Sequence, residues 1–124
     1  MSKESKKVQS AELTATIVKG IQEKKGENIV QMDLKKAEGA VTDYFVICEA
    51  KSSTQINAIK DSIVEEVRKS TGEKPWHVEG TNNLEWVLVD YVNVVVHIFN
   101  PETRDFFNIE GLWADAKIKN IKSE

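Results

Sequence analysis

Apolar side chains recur at intervals of three and four near the start of the chain. Leu13, Ile17, Val18 and Ile21 fall on one face of a helix predicted over about Ser10 to Lys25. Ser10 is positioned to cap its start and Gly26 to follow its end. The period then drops to two: from Asn28 to Leu34, Val30, Met32 and Leu34 lie on one side of a half-buried strand. The polar stretch Lys35 to Thr42, with Gly39 inside it, predicts a turn. Asp43-Tyr-Phe-Val-Ile-Cys-Glu49 is a continuous apolar run flanked by acids, which suits a strand covered on both faces. Ser52-Ser-Thr-Gln55 has the capping-box pattern, in which Ser52 and Gln55 satisfy each other's backbone donors. The helix it opens carries Ile56, Ile59, Ile63, Val64 and Val67 in one stripe and stops at Thr71-Gly72.

Pro75 to Gly80 predicts a short strand and a turn. Glu85 to Asp90 alternates, with Trp86, Leu88 and Asp90 on one face and Val87 and Val89 on the other. Asn93 to Phe99 is the next strand, and the short link Tyr91-Val92 predicts an antiparallel hairpin. Pro101 ends the sheet pattern, and Glu102 to Arg104 forms a turn or short helix. Phe106, Phe107, Ile109, Leu112 and Trp113 make an apolar tail expected to pack back on the body. A strand–helix–strand passage requires a crossover and some parallel pairing, whereas the hairpin adds antiparallel pairing. The expected architecture is therefore α/β of the mixed α+β kind: a single mixed sheet of about five strands flanked by the amphipathic helices.

A length of 124 residues allows one domain, spanning residues 1–124. Its ordered core is expected over about residues 8–116, with frayed ends. Hydrophobic residues at 40% and charged residues at 30% mark a globular chain rather than a disordered one. No apolar run is long enough to span a membrane, and Met1 to Lys7 lacks the apolar core of a secretory signal. The absence of an Arg-rich, acid-poor leader favours a bacterial source. Cys48 is the single cysteine, so no intramolecular disulfide forms, and one cysteine with two histidines is too few for a structural zinc site. The expected location is a reducing cytoplasm. A net charge of -3 makes the chain a poor candidate for gripping DNA directly. The same charge suits a basic protein partner.

Asp43, Glu49, Glu85 and Asp90 lie at strand ends, where convergent carboxylates serve acid–base or metal chemistry and isolated ones are simply solvated. The chain has no phosphate-binding glycine loop, no Gly-x-Ser-x-Gly and no Asp-x-Asp. Cys48 sits in the most apolar run, where a thiol is a core residue of suppressed reactivity. His97 points away from Val94, Val96 and Ile98, and His77 has no ligand partner nearby in sequence. No catalytic residue, metal or cofactor is expected. Trp86 shares its face with Asp90 and follows Glu79, Asn82 and Asn83. Such a tryptophan fits a sheet core and an interface anchor equally.

Five segments in order then carry a resemblance: Asp43-Tyr-Phe-Val-Ile-Cys48, Ser52-Ser-Thr-Gln55, Val78-Glu-Gly80, Trp86-Val-Leu-Val-Asp90 and Val94-Val-Val-His-Ile-Phe99. With the ending Arg104-Asp-Phe-Phe-Asn-Ile-Glu-Gly-Leu-Trp113, the chain resembles the ribosomal silencing factor family, RsfS or Iojap, from Ala11 to Ala116. The resemblance implies a small dimeric protein, distantly like nucleotidyltransferases but without their catalytic acids. It implies binding to the large ribosomal subunit through that subunit's fourteenth protein, where the bound factor blocks joining of the small subunit and lowers translation when nutrients are scarce. Residue by residue, it carries to Trp86 as anchor, to Glu79 and Asp90 as polar contacts, and to His97 and Arg104 as further matching positions. One departure stands out: the family's usual Gly-Asp before the Val-Val-Val-His strand is Val92-Asn93 here. Valine resists positive φ, so either the turn shifts or Asn93 takes the left-handed position. Two other readings compete: a degenerate nucleotidyltransferase using Asp43, Asp90 and magnesium, and a dimeric adaptor for a non-ribosomal protein.

Overall fold

The structure, a computed structural model, describes residues 9–113 and 115–123. Helix α1 (Ser10–Glu23) leads into strands β1 (Glu27–Asp33) and β2 (Tyr44–Glu49). Helix α2 (Ser53–Thr71) precedes β3 (His77–Glu79), β4 (Trp86–Asp90) and β5 (Val94–Phe99). Helix α3 (Pro101–Phe107), a 3₁₀ turn (Ile109–Leu112) and β6 (Lys117–Ile121) follow. The strands form one mixed sheet in the order β3-β4-β5-β2-β1-β6. Strands β2 and β5 are parallel, as the crossover through α2 requires, and the other neighbours are antiparallel.

The sixth strand corrects the expectation of a frayed C-terminal end. β6 pairs along β1 from Ile29↔Ile121 to Asp33↔Lys117, although four of its five residues are exposed. Backbone bonds rather than burial hold it, and Lys117 and Lys119 lie on the edge strand, where charge discourages further pairing. The fraying expected at the N-terminal end lies outside the described residues.

Both long helices lie on the same face of the sheet. Leu13, Ile17 and Ile21 of α1 meet Ile56, Ile59, Ile63 and Val67 of α2 over Val46, Cys48, Val87, Val89, Val96 and Ile98. Each such aliphatic side chain contributes about 1.5–3 kcal/mol on burial. Gly20 lets the helices approach closely: a Cβ there would stand 3.0 Å from the Ile63 Cα, and the Ser62 hydroxyl donates to the Gly20 carbonyl at 2.8 Å. The second face holds a smaller cluster of Val30, Met32, Leu34, Ile47, Phe99 and Ile109, and α3 with the 3₁₀ turn covers only part of it.

Local details depart from the expected caps. Gln9 is the N-cap of α1, and the Ser10 hydroxyl instead donates to Asp43 Oδ2 at 2.6 Å. Helix α1 ends at Glu23, and Lys25 rather than Gly26 takes positive φ, at 63°. Ser52 Oγ accepts from the Gln55 amide N–H at 3.1 Å, but the Gln55 side chain does not reciprocate. Its Nε2 donates to the carbonyls of Lys24 and Lys25, each at 3.1 Å, and ties the start of α2 to the end of α1. In the β4–β5 hairpin neither expected alternative holds. Val92 itself has φ 77°, and Asn93 N–H donates to the Tyr91 carbonyl at 3.0 Å, which closes a γ-turn on a valine. Asn93 spends its side chain elsewhere, donating from Nδ2 to Ser10 Oγ at 2.8 Å.

The apolar tail does not pack back as a unit. Ile109 is buried and Trp113 packs against the second cluster, but Phe106 is 81% exposed and Leu112 70%. The reason is helical phase. Arg104 occupies the inward position of α3, and two residues on a helix are about 200° apart, which turns Phe106 outward.

Candidate functional site

The partly open face is assembled by strand register. Asp90 of β4, Val95 of β5, Phe45 of β2 and Met32 of β1 form one row. Leu88, His97, Ile47 and Val30 form the next, and Trp86 and Phe99 a third. Trp86 is half-buried, stacked on Phe99 at 4.9 Å between centroids and tilted against Phe107 at 4.8 Å. Its Nε1–H donates to His97 Nδ1 at 3.1 Å. That bond places the imidazole proton on Nε2, which is buried without a partner. His97 is 4% exposed and has Phe45 edge-on at 4.5 Å. Burial pushes its pKa down to about 3, so the ring is neutral and holds the indole as a plain acceptor.

The other motif residues divide by depth. Asp90 is half-buried, and its Oδ1 accepts from the Val92 N–H at 2.7 Å, which braces the strained turn. Glu79 is exposed and pairs with His77 Nε2 at 2.6 Å. Its neighbour Gly80 has φ 89°, and a Cβ there would collide with the Trp86 carbonyl, so the Glu-Gly turn sets the backbone of Trp86. Arg104 is buried. It donates to Glu49 Oε1 at 3.0 Å, to the Asn28 carbonyl at 2.7 Å and to both oxygens of Glu110 at 2.9 and 3.2 Å. Burial works against its charge, but the Glu110 and Glu49 carboxylates outweigh that and hold its pKa above the ordinary value. Arg104 thus clamps α3 and the 3₁₀ turn to β1 and β2. The structure brings Trp86, Asp90 and Glu79 to the accessible side and places His97 and Arg104 beneath it.

The strand-end acids do not converge. Asp43 is bonded to Ser10, Glu49 to Arg104 and Asp90 to its own turn, while Glu85 is exposed. Among the described residues no group of three or more His, Cys, Asp or Glu is placed to share a metal ion. Cys48 is fully buried, with its thiol pushed up to about 12 by burial. Beside Asp90 lies a feature the sequence reading missed: an apolar groove of about 430 Å³ lined in part by Val41, Thr42, Phe45, Trp76 and Trp113. Its one sequence signal is Trp76, a tryptophan placed after Pro75 in a connection rather than at an alternating strand position.

Residues 7–124 match the family model described as ribosomal silencing factor during starvation. The chain belongs to the ribosomal silencing factor family. A ribosomal silencing factor of Halalkalibacterium halodurans is 34% identical over 105 residues, covering 85% of this chain and 88% of that one. A crystal structure of a Chromobacterium violaceum protein matches the fold with a TM-score of 0.81 at 26% identity, covering 94% of this chain and 96% of that one. The mouse protein named mitochondrial assembly of ribosomal large subunit protein 1 is 32% identical over 89 residues, 67% of this chain and 39% of its own. Ribosome-associated silencing is thus the role in which this silencing-factor chain falls. Among its described residues no helix is long and apolar enough to cross a membrane.

Proposed function

We propose that the protein binds the large ribosomal subunit through that subunit's fourteenth protein and so prevents the small subunit from joining. It does this in the cytoplasm, lowers translation under nutrient limitation, and exists free as a homodimer. The observation that supports this most is Trp86 held on the partly open sheet face by His97 and Phe99, on the same face of β4 as the carboxylate of Asp90, in a chain of a family named for silencing ribosomes. The mouse relative's name joins that likeness to a large subunit. Interface hot spots are enriched in tryptophan, and the acids Asp90 and Glu79 on the same sheet face suit a basic ribosomal partner. The mechanism makes and breaks no bond: a folded body standing on an intersubunit surface excludes whatever must dock there.

The test is Trp86→Ala, assayed by co-sedimentation with isolated large subunits and by circular dichroism. Loss of an anchor costs about 2 kcal/mol or more, roughly thirtyfold in affinity. The variant is expected to stay folded and to lose binding by that factor. A folded variant that binds as tightly as the parent contradicts the reading.

A further inference from the structure

Beside the Trp86 patch, the groove next to Asp90 has features of its own. Its volume of about 430 Å³ lies within the range of small-ligand sites, about 300–1,000 Å³. The lining is almost wholly apolar, and Asp90 is its single charged member. Asp90 uses Oδ1 for the Val92 N–H, and among the described residues no bond engages Oδ2. Thr42 also lines the groove. It is 7% exposed, and its Oγ1 is buried without a hydrogen-bond partner. Trp76 is 73% exposed, His77 is its one aromatic ring partner among the described residues, and the second indole, Trp113, lines the same groove.

One chemistry answers all of these together. The occupant must bring an apolar stem for the floor, a flat cation for the indole faces, and several donors for a carboxylate oxygen and an idle hydroxyl. A guanidinium on its propyl stem does so, since it stacks on indole and is weakly hydrated; an ammonium offers a point charge that prefers water. We propose that this groove receives one arginine side chain from the ribosomal partner, with its cation on Asp90 Oδ2 and Thr42 Oγ1 and its plane against Trp76. The assignment rests on the ribosome-binding reading above. It adds Trp76, Thr42 and Trp113 to the contact surface and names the chemistry that the surface selects.

The probe is N-acetyl-arginine-N′-methylamide, titrated into the full chain labelled with ¹⁵N. Shifts are expected at the Trp76 and Trp113 indole N–H and at the Thr42 and Asp90 amides, saturating in the millimolar range. The lysine analogue should bind several-fold more weakly and the norleucine analogue not at all at equal concentration. Asp90→Asn keeps the acceptor for Val92 and is expected to weaken the arginine probe about tenfold. Equal binding of the norleucine or the lysine analogue, or no shift at these positions, overturns the assignment. On large subunits, Trp76→Ala and Thr42→Val should each lower affinity at least fivefold. A parent protein that does not bind large subunits defeats the ribosome reading. A parent that binds, alongside folded Trp76→Ala and Asp90→Asn variants that bind equally well, defeats the arginine assignment alone.

Discussion

Val92 is a β-branched residue at φ 77°, in a turn where its side chain is 55% exposed and gains little from packing. Holding a non-glycine residue there costs about 1–3 kcal/mol, and the added unfolded-state freedom of glycine returns about 0.5–1 kcal/mol of that. Val92→Gly is therefore expected to stabilise the fold by about 1 kcal/mol, read as a higher urea midpoint. An unchanged or lower midpoint contradicts the strain. Asn93 explains why the hairpin stays in place despite the valine, because its side chain is bonded to Ser10 and Ser10 to Asp43. His97 makes a second prediction at this scale. Its pKa is lowered by burial to about 3, against about 6.5 in the unfolded chain. Between those values the unfolded state binds the extra proton, so this residue's stabilisation is full above pH 6.5 and falls as pH drops towards 3. From pH 6.5 to 5 the loss is about 1–2 kcal/mol. Urea unfolding of parent and His97→Asn at the two pH values should show that slope in the parent only. Equal slopes contradict a buried neutral ring.

At the scale of elements, Gly20 decides how α1 lies on α2, because a side chain there meets the backbone of Ile63 rather than a movable tip. Gly20→Leu is expected to cost about 3 kcal/mol in urea unfolding despite leucine's better helix propensity. A variant as stable as the parent would mean that the helices are free to separate. Elements that bury a periodic stripe were legible in the sequence. The α1 and α2 faces, the doubly covered β2 and the alternation of β4 are as the apolar pattern predicts. What escaped was held by other forces. β6 adds to the sheet through backbone bonds and buries almost nothing, so hydropathy does not register it. The Gln55 amide leaves its capping box because two carbonyls from another helix end are within reach, a tertiary bond that spacing cannot reveal. Phe106 counts as apolar in any pattern, yet the inward place on α3 goes to Arg104, held there by Glu49 and Glu110.

At the scale of the molecule, the sheet has one face sealed by two helices and one only partly covered, and the candidate site occupies the second. Alternation alone placed Trp86 and Asp90 on that one face, so this part of the candidate site was readable. Depth was not: the resemblance pointed to His97 and Arg104 only as positions, while folding shows them beneath the surface, one orienting the indole and one clamping the chain's last third. The groove was invisible for a related reason, since Thr42, Trp76 and Trp113 come from three separate connections that meet only in space. On the function proposed above, the protein acts by position, as a body with an anchor on one face. Joining of purified large and small subunits, followed in sucrose gradients with increasing protein, tests this most directly. Joined ribosomes are expected to fall towards zero as the large subunits become saturated, and to be restored when Trp86→Ala replaces the parent. Undiminished joining with the large subunits fully occupied would contradict the account.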